Sequence, residues 1–225
     1  MKAWELPYPE VDVEGDVVLV PVGSTEQHGP HLPLGTDHMI ATEIALRVSE
    51  ETGAPLYPAV PYGVSKHHMG FPATVSLRTE TMIELLRDIH RSLLYHGALC
   101  TFVVNGHGGN EPALGAVTEE EERFHWVSWW KLAPTDVLET DWGGHADELE
   151  TSVAMYLFPE LVKEGEVVRD GRPTEVWEYP DFHEISETGV KGDATVASPE
   201  KGKKIVESVV EKISGIVEEL RERYG

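Results

Sequence analysis

Two stretches of this 225-residue chain constrain its fold more than any others: Val17-Val18-Leu19-Val20-Pro21-Val22 and Leu99-Cys100-Thr101-Phe102-Val103-Val104. Both are apolar at successive positions rather than alternate ones. Strand side chains point to opposite faces in turn, so such a run needs apolar cover on both sides, as in a parallel sheet held between helices. The intervening segments supply those helices. Asp37 to Thr52 carries Ile40, Ile44 and Val48 at four-residue spacing and stops at Gly53. Thr79 to His96 places Met82, Leu85, Leu86, Ile89, Leu93 and Leu94 on one side, with Thr79 as its cap. Further helices are expected from about Glu111 to Arg123, from His145 to Leu157 and from Pro199 to Arg223. Leu56–Val60 reads as a short second strand and Trp126–Trp130 as a fourth. Val162 to Ser198 is irregular, with a short hairpin expected around Asp170-Gly171 and a place at a site or a subunit contact. The alternation predicts an α/β fold, a mostly parallel sheet with helices on both faces, as one domain over residues 1–225. Ligands of such sheets bind beyond the carboxyl ends of the strands.

Charge narrows the partners. The chain has 40 Asp and Glu against 18 Lys and Arg, a formal charge of −22. Binding to nucleic acid or to an anionic membrane depends on clustered Lys and Arg, so neither partner is expected. Most of the acids read as solvated surface. The single cysteine, Cys100, excludes an internal disulfide or a CxxC zinc module and falls in a buried strand as an inert thiol. There is no apolar run of membrane-spanning length, and Met1-Lys2-Ala3-Trp4-Glu5 has no signal-like core, so a cytoplasmic protein is expected.

The segments that follow the two apolar runs carry the chemistry. After the first comes Gly23-Ser24-Thr25-Glu26-Gln27-His28-Gly29, leading through Gly35-Thr36 to Asp37. Glu26 and His28 are two apart, so on extended chain their side chains point the same way and can converge on one metal. Asp37, at the start of a helix, can return to that place and bridge two ions through its two oxygens. After the second run His107 stands in Asn105-Gly106-His107-Gly108-Gly109-Asn110. Two carboxylates and two imidazoles suit Zn²⁺, Mn²⁺ or Fe²⁺. Read singly, Glu26 is a loop acid, Asp37 a helix cap and either histidine a structural one; the case rests on their shared location at strand ends. In a third segment, Gly143-Gly144-His145-Ala146-Asp147-Glu148-Leu149-Glu150, a helix N-terminus would keep His145 neutral and fit for proton transfer, with Glu150 orienting it or adding a ligand. Ser65, His67 and His68 line a pocket or form a surface loop, and Trp126, Trp129, Trp130 and Trp142 cover a planar substrate or pack in the core.

These stretches resemble the creatininase (creatinine amidohydrolase) family. So do Pro61-Tyr62-Gly63-Val64-Ser65, Phe71-Pro72-Ala73-Thr74-Val75-Ser76-Leu77 and Gly189-Val190-Lys191-Gly192-Asp193, in the family's order along most of the chain. The resemblance implies a three-layer α/β fold with two divalent ions per subunit. Glu26 and His107 would hold one ion, His28 the other, and Asp37 both. It implies His145 as the acid/base group, a small-molecule amide substrate and a homo-oligomer, often a hexamer. One position departs: creatininase proper has an acidic ligand two residues after the histidine matching His107, where this chain has Gly109. Glu150 or water would then fill the gap. Other branches that carry His-Gly-Gly-Asn resemble formamide deformylases of archaeal flavin and deazaflavin synthesis and peptidases of the mycofactocin precursor. The expected reaction is hydrolysis of an amide or cyclic amide by water that two ions acidify, with His145 protonating the leaving nitrogen. A metal-binding protein without activity is the alternative.

Overall fold

The computed structural model describes residues 2–172 and 181–225. Its centre is a parallel sheet of β1 (Val17–Val22), β2 (Cys100–Asn105) and β3 (Phe124–Ser128), in that order. Val17 to Val22 pair with Cys100 to Asn105, and Thr101 to Asn105 with Phe124 to Ser128. Every residue of β1 and β2 is buried, as their continuous apolar character requires. Alternate residues feed two separate cores. Val17, Leu19, Phe102 and Val104 pack with Ile40, Ile44 and Val48 of α1 (Thr36–Thr52), Val153 of α4 (Glu148–Leu157) and Ile205, Val209 and Ile213 of α5 (Pro199–Tyr224). Val18, Val20, Val22 and Val103 pack with Met82 and Leu86 of α2 (Thr79–Tyr95) and Leu114 and Val117 of α3 (Glu111–Glu120). The result is the expected three-layer α/β arrangement.

The differences from the sequence reading have local causes. Leu56–Val60 lies parallel to β1 on the edge away from β2, but as isolated bridges at Leu56 and Val60 rather than a strand. Leu19 uses its N–H and C=O toward Pro55 and Tyr57, and the carbonyl of Pro21 accepts from Val60 on the same side. Pro21 has no N–H to give there, so the ladder breaks between the two bridges. The expected fourth strand starts two residues earlier, and Trp129 and Trp130 fall in a 3₁₀ turn after it. Helix α3 ends at Glu120 because Arg123, at φ 64, turns the chain back into β3. Helix α4 starts at Glu148, not at His145, because the Asp147 carboxylate caps the N–H groups of Leu149 and Glu150. His145 lies in extended chain, exchanging main-chain hydrogen bonds with Lys191. The hairpin expected around Asp170-Gly171 runs into residues 173–180, outside the described residues; β4 (Arg169–Asp170) pairs antiparallel with β5 (Gly192–Asp193). Among the described residues no helix is long and apolar enough to cross a membrane.

Candidate metal centre

The three parallel strands end together at Val22, Asn105 and Ser128, so the segments that leave them share one rim. On that rim the Glu26 N–H donates to the carbonyl of Leu34, which folds the loop after β1 back on itself and brings Asp37 beside Glu26. Gly106 allows the close approach: a Cβ there would lie 2.2 Å from the Asp37 carbonyl oxygen.

Glu26, His28, Asp37 and His107, the four residues expected to bind metal, are brought together and buried, none more than 4 % exposed. His107 Nδ1 lies 3.2 Å from Glu26 Oε1 and 3.1 Å from Asp37 Oδ2. His28 Nε2 lies 2.9 Å from Asp37 Oδ1 and 3.9 Å from Glu150 Oε2. Asp37 thus turns one oxygen to each imidazole. The opposite ring nitrogens are committed elsewhere, since His28 Nδ1 donates to the Glu26 carbonyl at 3.1 Å and His107 Nε2 to the Val64 carbonyl at 3.0 Å. Such outer hydrogen bonds fix which nitrogen is left to a cation. The donor atoms form groups of metal-binding size: Glu26, Asp37 and His107; His28, Asp37 and Glu150; and Glu26, His28 and His145.

The electrostatics call for positive charge. Both oxygens of Glu26 and Oδ2 of Asp37 are buried with no hydrogen-bond partner of ordinary geometry. A buried carboxylate is costly unless a cation or donors meet it. Without metal, protons fill this role. Burial alone would lower the pKa of both imidazoles, yet Asp37 raises His28 to about 10 and Glu26 with Asp37 raises His107 well above its usual value. Burial alone would raise the two carboxyls, and the imidazolium charges hold both below their usual range. Facing oxygen and nitrogen donors with matched tautomers and unpartnered oxygens therefore fit divalent ions of the Zn²⁺, Mn²⁺ or Fe²⁺ type.

His145 and Glu150 stand beside this quartet. His145 Nδ1 is 3.8 Å from Glu26 Oε1, and Nε2 donates to the Gln27 carbonyl at 2.7 Å. Its pKa is lowered to about 3 by burial and by the charge on His28, so burial rather than a helix N-terminus keeps it neutral. Burial pushes the Glu150 carboxyl up to about 8. Of the residues left open by sequence, His68 is 2 % exposed with Nε2 at 3.3 Å from Glu26 Oε1, His67 stacks on His107 at 5.7 Å, and the Ser65 hydroxyl contacts His107 Nε2 at 3.3 Å. Trp129 is core, while Trp130 borders an open cavity of about 500 Å³ above the centre, with Leu149, Phe182, Ile185 and Lys191 on its other walls. The irregular segment after Val162 thus does reach the site. Sequence reasoning did not single out Gln27, whose place between two charged candidates was the available signal, nor Phe182 or Ile185, which carried none.

A sequence model of the creatininase (creatinine amidohydrolase) family matches residues 5–217. A mycofactocin precursor peptide peptidase of Mycolicibacterium smegmatis is 39% identical over 209 residues, 86% of this chain and 81% of that protein. A creatinine amidohydrolase of Pseudomonas putida is 31% identical over 241 residues, 93% and 91% of the two chains. A putative creatinine amidohydrolase from Bacteroides fragilis superposes with a TM-score of 0.88 at 27% identity, covering 98% of this chain and 96% of the other. A manganese form of creatininase and the Zn–Zn form of a mutant creatininase superpose with TM-scores of 0.84 at 27% identity, each covering 99% of this chain and 98% of the other.

Proposed function

The chain belongs to the creatininase family, and from that premise we propose that it is a metal-dependent hydrolase of carbon–nitrogen amide bonds. One ion would be held by Glu26, Asp37 and His107, the second by His28, Asp37 and Glu150. The observation that carries this reading is Asp37, which is buried between two imidazoles with one oxygen toward each and no hydrogen-bond partner of ordinary geometry at Oδ2. Bound there, divalent ions supply Lewis acidity for the carbonyl and acidify water near neutral pH. The protein supplies the rest. Asp37 would offer one oxygen to each ion site, the Glu26 and Val64 carbonyls hold the imidazoles, and Trp130, Phe182 and Ile185 form the cavity wall. His145, neutral and facing Glu26, moves a proton between water and the leaving nitrogen.

Gly109 bears on the substrate. A Cβ there would lie 2.1 Å from the Val64 carbonyl oxygen and 2.5 Å from His107 Nε2, so this loop has no room for the acid of creatininase proper. Glu150, near His28 and Asp37, is the acid present instead. A cavity of about 500 Å³, open to solvent, also suits a substrate larger than a small cyclic amide. We read the substrate as an acyclic amide, a peptide or a formamide, ahead of creatinine.

The test joins metal content to turnover. Protein purified without chelator is analysed for bound metal and assayed with and without oxygen on short peptides, a formamidopyrimidine nucleotide and creatinine. Metal that is lost in Glu26→Ala and Asp37→Ala, with hydrolysis of an acyclic amide that His145→Ala abolishes while keeping the metal, is the expected result. Less than about half an ion per chain, unchanged in those variants, overturns it.

A further inference from the structure

Gln27 lies between His68 and His145, and its donor and acceptor atoms admit one arrangement of hydrogens. The Gly29 N–H donates to Gln27 Oε1 at 2.9 Å, which fixes the amide so that Nε2 points the other way. Around Nε2 lie the Gly189 carbonyl at 3.0 Å, His68 Nδ1 at 2.8 Å and His145 Nε2 at 3.0 Å. An amide nitrogen has two hydrogens for these three neighbours. The Gly189 carbonyl can only accept, so it takes one. His145 Nε2 lies 2.7 Å from the Gln27 carbonyl, another obligate acceptor, so it carries its own hydrogen and takes none. The second amide hydrogen therefore goes to His68 Nδ1, which must be unprotonated, and the hydrogen of neutral His68 sits on Nε2, 3.3 Å from Glu26 Oε1.

We infer that Gln27 is a positioning residue that sets the two histidines to opposite duties at the metal centre. His68 turns an N–H toward the Glu26 carboxylate, neither oxygen of which has a hydrogen-bond partner of ordinary geometry. His145 turns its bare Nδ1 toward the same carboxylate. In the hydrolytic reading, on which only this consequence rests, His145 begins the cycle as a proton acceptor. As water attacks, a C–O bond forms and a water proton passes to Nδ1; that proton then goes to the nitrogen as the C–N bond breaks, so that one water is added across the amide. Gly189 belongs to the same device, since a Cβ on it would stand 1.9 Å from Gln27 Oε1.

The tautomers are read on the zinc-loaded protein by long-range proton–nitrogen spectra of ¹⁵N-histidine, with resonances assigned by single substitution. Wild type is expected to show both His68 and His145 protonated at Nε2 and bare at Nδ1. Gln27→Glu, which faces His68 with an acceptor instead of a donor, should put a hydrogen on His68 Nδ1 while His145, held by a main-chain carbonyl, keeps its pattern. Zinc content should stay and kcat should fall at least tenfold with little change in KM. If Gln27→Glu does not fold, Gln27→Met serves in its place: it lacks the donor, so His68 should lose its single tautomer. A His68 protonated at Nδ1 in wild type, or unmoved in either variant, overturns the inference. The expected spectra in a protein that hydrolyses no amide would overturn the hydrolase reading alone.

Discussion

Loading this centre with zinc should expel protons, and their number reports which side chains coordinate. Burial opposes charge on His28, but Asp37 at 2.9 Å raises its pKa to about 10. Burial opposes it on His107 too, and Glu26 with Asp37 raises that group well above 6.5. Burial pushes Glu150 up to about 8. All three are protonated at pH 7 without metal, and a metal takes only deprotonated ligands. Full loading should expel about two protons if only the imidazoles coordinate and about three if Glu150 does as well. Apparent affinity should then rise about tenfold per pH unit for each proton expelled. Removing the His28 proton at pH 7 costs about 4 kcal/mol, at about 1.4 kcal/mol per pH unit over the interval from 7 to about 10. Calorimetric zinc titrations in buffers of different ionisation enthalpy, from pH 6 to 8, count the protons. An affinity flat across that range, or fewer than about one proton released per chain, refutes the ligand assignment. The metal-free protein has the opposite sign. His28 is raised on folding, so its contribution is complete below 6.5 and is lost as pH rises toward about 10, with a ceiling of about 5 kcal/mol over that interval. Denaturation in chelator should therefore show stability falling between pH 7 and 9.

If Asp37 serves both ion sites as proposed, Asp37→Ala should drop zinc content from about two ions per chain to below about one while circular dichroism stays native; full zinc content contradicts the shared role. Gly109→Ala places a methyl against the Val64 carbonyl and His107, and should cost about 1–3 kcal/mol with a lowered melting temperature and weaker zinc binding. Lys201→Met removes a 2.6 Å partner from Glu148, which is 1 % exposed and otherwise held by the Glu139 and Thr140 N–H groups and the Thr140 hydroxyl. A loss of about 1–3 kcal/mol in urea denaturation is expected, and an unchanged midpoint would contradict it.

Much of the frame was legible because it depends on local pattern. The unbroken apolar runs at Val17–Val22 and Leu99–Val104 demanded cover on both faces, and the four-residue spacing in α1 and α2 supplied it. Element edges were less legible where a distant partner decides them. Leu56–Val60 has strand composition, but Pro21 on its neighbour withholds the N–H that would have continued the ladder. His145 looked like the start of a helix until Asp147 took the capping role and Lys191 paired with the chain ahead of it.

The same division holds at the site. The sequence by itself determined the donor types, since Glu26, His28 and Asp37 follow one apolar run and His107 the other, and such runs must be buried strands beyond whose carboxyl ends ligands bind. Only the tertiary structure decided what each donor faces. The hydrogen bond that turns His107 toward Asp37, and the amide of Gln27 between His68 and His145, join atoms distant in sequence. Burial then gives those contacts their force, because removing water makes each unpartnered oxygen costly and each tautomer binding. Which distant atom each side chain meets is not encoded in the spacing of residues along the chain.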